Sequence, residues 1–286
     1  MINMCADDYG LEPVSSRHIQ ECIDQGLLKR VSVFPNFERI DLNQIRKGKN
    51  VQLALHVNLV EGKCLADPAE IGLLADENGS LKHDFIGLFS LSLLHPKKFK
   101  EQIYKEIKAQ ILFWQSILPE DMPFCIDSHQ HTHMIPAIFK TMIEVLREEN
   151  VTVEHLRISA EPLSPYLRTP SLYFTYSAVN VIKQWLLKFL WQFDKRYINV
   201  DELHKSYYMG ILFSGNMDEK RIIKILPKYV KLAEKKGKSV DVTFHPGYLD
   251  KENADLNNKN VAFKRFYLSD KRKTEFESLI NLSKEV

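Results

Sequence analysis

Asp127-Ser128-His129-Gln130-His131-Thr132-His133 follows directly on the apolar run Phe124-Cys125-Ile126. A short apolar run reads as a buried strand, and three of the chain's 10 histidines crowd its end. In an extended segment side chains alternate faces, so Asp127, His129, His131 and His133 would share one face if the strand ran on unbroken. A turn after His129 would splay them. Either way imidazole and carboxylate collect at the end of a buried strand, where α/β proteins keep ligand sites. A single histidine is more often structural. Several converging polar groups favour a site.

The same punctuation recurs outward from this stretch. Ile2 to Ala6 ends in Asp7-Asp8-Tyr9-Gly10. Val31 to Phe34 is stopped by Pro35-Asn36. Val51 to Leu55 ends in His56-Val57-Asn58, Val151 to Ile158 delivers Arg157, Tyr208 to Phe213 forms a further strand, and Ser239 to Phe244 delivers His245-Pro246-Gly247. Helices are expected between them. One runs from Ser15 or Ser16 to about Gln25, with Gly26 where helices commonly end. Others cover about Leu42 to Lys47, Pro136 to Glu149, Asp218 to Lys236 and Ser269 to Lys284. From Pro96 to Leu118, Phe99, Ile103, Ile107, Ile111, Trp114 and Leu118 recur at helical spacing. This alternation predicts a single-domain α/β protein over 1–286, a TIM-like (β/α) barrel that is distorted or incomplete.

Two departures interrupt the alternation. A long loop is expected over about 61–95, with Gly62, Pro68, Gly72 and Asn78-Gly79 marking turns. An apolar helical insertion is expected over about 162–205, with a helix from about Ala178. Its segment 172–193 is too interrupted to span a bilayer. It reads as a packing or homodimer-interface helix or, with Trp and Phe beside Lys, as a peripheral membrane contact.

Bulk composition narrows the class. The 286 residues are 44% hydrophobic and 27% charged with a formal net charge of +2, which gives no reason to expect nucleic acid. Cys5, Cys22, Cys64 and Cys125 form no C-x-x-C pair, and the reading is a reducing, cytoplasmic compartment, or its membrane's inner face if 172–193 binds lipid. Met1-Ile2-Asn3-Met4 lacks the basic start of a signal peptide.

In a barrel, Asp7, Asp8, His56, His129, Arg157 and His245 would gather on one rim. One carboxylate and two imidazoles make a facial metal triad suited to zinc, magnesium, manganese or iron, and a second aspartate beside it could accept a proton from water. Another metal-dependent barrel amidohydrolase, using His129 and His131 as paired ligands, remains open on the residues alone. So does a catalytically inactive, metal-containing carbohydrate-binding protein.

The ordered set Ala6-Asp7-Asp8-Tyr9-Gly10, Leu55-His56-Val57-Asn58-Leu59 with Glu61-Gly62, Asp127 to His133, Arg157 and His245-Pro246-Gly247-Tyr248 resembles the YdjC-like carbohydrate deacetylases. The resemblance spans nearly the whole chain. It implies a deacetylase that hydrolyses the N-acetyl group of an N-acetylhexosamine-containing substrate, a free oligosaccharide or a lipid-linked amino sugar. It further implies one divalent ion, zinc or magnesium, held by Asp8, His56 and His129. Asp7 would be the general base, His245 the acid toward the departing amine, and Arg157 a group that orients Asp7 or the substrate. A backbone N–H near Tyr9 or Gly10 would face the oxyanion. His131, His133, Tyr9 and Asn58 would touch substrate or support the ligands. Cys5, Tyr9 and Val60 depart from the commoner Asn, Phe and Thr of the family.

Overall fold

The apolar N-terminal run becomes the middle of the sheet. The structure, a computed structural model, describes residues 1–37, 40–47, 50–248 and 268–282. Its strands are β1 (Ile2–Tyr9), β2 (Arg30–Val33), β3 (Gln52–Val57), β4 (Phe124–Ser128), β5 (Val153–Leu156), β6 (Ser206–Met209) and β7 (Ser239–Phe244). They form one seven-stranded sheet in the order β5-β4-β3-β2-β1-β7-β6, with every neighbouring pair parallel. Parallel strands covered by helices are buried on both faces, and all residues of β2 and β4 are buried. The edge strands do not pair, but His155 Nε2 of β5 lies 3.2 Å from Ser206 Oγ of β6. The sheet therefore curls until its edges face one another, a distorted and unclosed TIM-like barrel.

The α-helices among the described residues are α1 (Pro13–Asp24), α2 (Leu42–Arg46), α3 (Phe85–Leu94), α4 (Pro96–Ile117), α5 (Pro136–Glu148), α6 (Ser164–Leu167), α7 (Ala178–Asp194), α8 (Val200–Leu203), α9 (Glu219–Glu234) and α10 (Asp270–Leu282). None among the described residues is long and apolar enough to cross a membrane. Residues 283 and 284 of the expected last helix lie outside the described residues. Along α4, Phe99, Ile103, Ile107, Ile111 and Trp114 are fully buried, each contributing about 1.5–3 kcal/mol of apolar burial. The same helix buries three polar side chains that pin the loop after β3. Glu106 accepts from the N–H groups of Leu65 and Ala66, Gln102 from that of Leu73, and Gln110 from that of Asn58.

Two expectations need correction. Ten residues near the end of the expected loop over 61–95 are helix α3, Phe85–Leu94, started by the Asp84 side chain accepting from Gly87 N. The strand expected over Tyr208 to Phe213 stops at Met209. There the backbone turns so that Gly210, Ile211 and Leu212 all donate to the buried Glu161 carboxylate, at 2.5, 2.8 and 3.1 Å.

At the N-terminal ends of the strands lies a closed polar floor. Asp241 accepts from Asn3 Nδ2 at 2.8 Å, Arg30 Nη1 at 3.0 Å and Ser206 Oγ at 2.7 Å, and His155 Nε2 lies 2.9 Å away. Burial opposes its ionisation, but His155, Arg30 and Asn3 together hold the carboxyl below its ordinary value.

Candidate functional site

Strict alternation along β1 would send Asp7 and Asp8 to opposite faces of the sheet. Instead the register with β2 slips between Ala6 and Tyr9, and Asp8 adopts φ 72°. This left-handed residue costs about 1–3 kcal/mol and lets both carboxylates join one buried cluster. A second irregularity ends β4, where Gln130 and His131 have φ of 51° and 59°. Of the two readings of this stretch, the turn is therefore the one adopted. It sends His129 to Asp8, His131 to Ser159 and His133 back beneath its own strand.

Asp8 Oδ1 faces two imidazoles, with His129 Nδ1 at 3.1 Å and His56 Nε2 at 3.5 Å, while Oδ2 pairs with Arg272. Asp8, His56 and His129 each present one ligand atom, all within 4.8 Å of one another. His56 Nδ1 is held by Asp127 Oδ1 at 2.6 Å, which turns Nε2 toward the centre, as carboxylates commonly support metal-bound histidines. Phe34 packs on both rings, edge-on to His56 at 5.0 Å and tilted against His129 at 4.9 Å. One carboxylate oxygen and two nitrogens, braced from behind, fit a divalent ion. Asp7, His56 and Asp127 form a second compact group. There, however, Arg157 already bridges the two carboxylates, so a cation would have to displace a guanidinium. Neither group includes His131, the ligand on which the amidohydrolase alternative depends.

Arg157 donates to Asp7 through both nitrogens, Nη1 to Oδ2 at 2.7 Å and Nη2 to Oδ1 at 2.9 Å, and also reaches Asp127 Oδ2 at 2.9 Å. It is buried and contacts acids, so its geometry is that of a clamp on Asp7. Burial works against ionisation of Asp8, yet Arg272 and His129 hold its carboxyl well below the usual range. Burial also works against a charged His56, but Asp127 and then Asp8 push its pKa up to about 10. Metal binding at His56 would compete with protonation of the same ring.

His245 follows β7 with its N–H donating to Glu275 Oε2 at 2.6 Å and its Nδ1 3.2 Å from the same oxygen. Glu275 and Arg272 stand one turn apart on α10 and are both fully buried. Arg272 also donates to Gly247 O at 3.0 Å, so one helix face ties the His245 loop to Asp8. Neither residue is legible in the sequence, where a charged pair at i, i+3 on a helix gives no hint of burial. Phe34 was missed as well, because an aromatic residue at a strand end reads as core.

The supporting residues divide. His133 Nδ1 meets Ser128 Oγ and its Nε2 meets Arg157 O at 2.9 Å, placing it under Arg157. His131 Nδ1 lies 2.9 Å from Ser159 Oγ with its ring edge-on to Tyr208, and burial followed by nearby Lys183 pushes its pKa well below the ordinary value. Asn58 spends its side chain on the turn after β3, accepting from Val60 N and Glu61 N and donating to Glu61 O and Asn36 Oδ1. The Tyr9 hydroxyl reaches Gln20 on α1 at 3.4 Å. The Gly10 N–H donates to Ser16 Oγ at 2.9 Å.

Comparison with known proteins adds to this geometry. The solved structure of a candidate cellobiose-phosphate cleavage protein from Enterococcus faecalis superposes with a TM-score of 0.59 at 17% identity, covering 97% of this chain and 94% of that one, so the fold is shared. A carbohydrate deacetylase of Clostridium beijerinckii is 23% identical over 215 residues, 74% of this chain and 82% of its own length. Carbohydrate deacetylases of Danio rerio and Thermoanaerobacter pseudethanolicus are 25% and 24% identical, over 54% and 55% of this chain and 49% and 61% of their own lengths. The match with these two spans less than two thirds of each relative. Residues 1–283 match the family model described as YdjC-like protein, and the chain belongs to the YdjC-like family.

Proposed function

We propose that this protein is a metal-dependent carbohydrate deacetylase that hydrolyses the N-acetyl group of an N-acetylhexosamine-containing substrate. The observation that carries the reading is the convergence of Asp8, His56 and His129 beside the clamped Asp7. The relatives named carbohydrate deacetylases support the same chemistry. One divalent ion, zinc or magnesium, held by these three residues would supply a Lewis acid that lowers the pKa of water from about 15.7 toward about 7.

The chain's own groups supply the remainder. Asp7, aimed by Arg157, takes the proton from the attacking water as its oxygen bonds to the acetamide carbon. The C–N bond then breaks, and His245, supported on Nδ1 by Glu275, gives a proton to the departing amine. Acetate and a free amino sugar result, and atoms and protons balance. Asp127 holds His56 in the tautomer that presents Nε2. His131, beside Tyr208, contacts the sugar in this reading, while His133 and Asn58 act through Arg157 and the turn after β3.

The whole of 1–286 serves as one catalytic domain. The four free cysteines fit a reducing cytoplasm. The substrate is a free oligosaccharide or a lipid-linked amino sugar, and the second choice would put the enzyme at the inner face of the membrane. The test is acetate release from a panel of N-acetylglucosamine and N-acetylgalactosamine oligosaccharides, with protein loaded with zinc or magnesium. Release that depends on added metal supports the reading. Metal bound at Asp8 without release across the panel would favour the inactive carbohydrate-binding alternative.

A further inference from the structure

Helix α7 is amphipathic, with one apolar side in the core and another turned to solvent. Its inner side is anchored: Gln184 Nε2 donates to Glu161 O at 2.9 Å, Asn180 Nδ2 to Ser214 O at 3.0 Å, and Trp191 packs edge-on to Phe139. Its outer side is a stripe at helical spacing, Val179, Ile182, Trp185, Phe189 and Phe193, with Trp185 59% and Phe189 60% exposed. Phe174, just before the helix, is fully exposed. Large contiguous apolar patches on a soluble protein mark a binding surface.

On α7 itself Lys188 is half-buried beside the stripe, Lys183 sits toward Glu161 and His131, and Asp194 at the helix end is buried. From 162 to 193 the chain carries Arg168, Lys183 and Lys188 and no Asp or Glu. A second apolar helix, α3, exposes Ile86, Leu93 and Leu94. Both α3 and α7 pack against His129–Met134, the segment that carries His129. Exposed aromatic residues beside lysines, on a helix lying flat on the body, are what an interfacial helix displays.

We infer that α7, with Phe174, is a docking face for an anionic lipid surface. A second copy of this chain fits less well, because a two-fold interface sets a patch against itself. Such a pairing would bring the Lys188 residues of both copies into one interface, and the one acid of the helix, Asp194, is buried and cannot answer them. An anionic bilayer answers the charge and takes up the Trp and Phe side chains together. This deepens the proposed function, on which only its consequence rests: lipid-borne amino sugars would meet the protein beside the segment bearing His129.

The experiment uses the full chain with phosphatidylglycerol-rich vesicles and with pure phosphatidylcholine vesicles. Trp185 is exposed whereas Trp114 and Trp191 are buried, so its fluorescence reports docking. The expected result is sedimentation with the anionic vesicles, with Trp185 emission quenched by brominated acyl chains. Joint Trp185→Ser and Phe189→Ser substitution should lower partitioning by roughly tenfold or more, and Lys188→Glu should weaken binding to the anionic vesicles alone. Absence of partitioning, partitioning unchanged by the double substitution, or a concentration-dependent dimer that the same substitutions dissolve would each overturn the inference. Acetate release from water-soluble oligosaccharides should be equal in the double variant and the parent. Its absence in both would count against the deacetylase reading, with the vesicle result still judging the surface.

Discussion

The floor and the rim of the barrel are both buried polar networks, yet they are built differently. The floor, around Asp241, Arg30 and His155, sits on strand backbone with no left-handed residue, although β5 slips register against β4 between Val153 and His155, and its carboxylate is surrounded by donors. The rim gathers three acids, Asp7, Asp8 and Asp127, with Arg157, Arg272, His56 and His129, on backbone distorted at Asp8, Gln130 and His131. Asp8, Gln130 and His131 at the rim have left-handed φ, as do Lys47 and Asn150 at turns elsewhere, whereas Arg30, His155 and Asp241 on the floor do not. Strain tolerated in this way is a sign of a working site. The floor is accordingly a structural staple that links both edges of the open sheet.

Substitutions can test that division, and the largest effect is expected at Asp7. Asp7→Asn should lower acetate release by about 10³-fold or more while the protein still binds metal, measured by turnover and by metal analysis of the same sample. On the floor, Asp241→Ala should cost about 3–5 kcal/mol of stability in denaturant unfolding, because it leaves Arg30 buried without its acid. The folded fraction should keep its turnover. If Asp241→Ala instead disabled catalysis without loss of stability, the two networks would not be separate.

Protonation gives an effect of similar size. Burial pushes the His133 pKa down to about 4, below the ordinary 6.5. The unfolded chain therefore binds a proton there between these values while the folded protein does not. The stability this residue contributes is present above about pH 6.5 and is lost as pH falls toward 4, about 3 kcal/mol in all. Unfolding curves across that window should show the decline, and a His133→Gln variant should show a shallower one.

Smaller effects sharpen the picture of the rim. Glu275→Gln removes the anion behind His245 and should lower turnover by about 10–100-fold, with a shifted pH profile and little change in metal affinity. Tyr9→Phe removes only a long contact to Gln20 and should leave turnover and stability nearly unchanged, within about 0.5 kcal/mol. A large loss at Tyr9 would mean that its hydroxyl meets the substrate after all.

How much of this could be read in the sequence follows from where each residue stands. Asp7, Asp8, His56, His129, Arg157 and His245 come at or just after apolar runs, and a parallel sheet sends such ends to one rim. The floor was invisible because Arg30, His155 and Asp241 lie within or at the start of strands, where polar residues read as solvent-facing. Arg272 and Glu275 were hidden for the matching reason on a helix. The backbone reversal at Asp8 leaves no compositional mark, since no glycine occupies the left-handed position. Helix α3 escaped notice because Phe85 to Leu94 is apolar on nearly all sides and shows no helical period. The end of β6 depends on Glu161, about fifty residues upstream, which no local reading could supply.

The account turns on a proton acceptor standing apart from the residues that hold the cation. Metal content and acetate release, measured on the same preparations of the parent protein and of Asp7→Asn, address it directly. The account predicts equal divalent metal in both and acetate from the parent alone. Undiminished acetate from Asp7→Asn, or full metal content after His56 and His129 are both replaced by Ala, would contradict it.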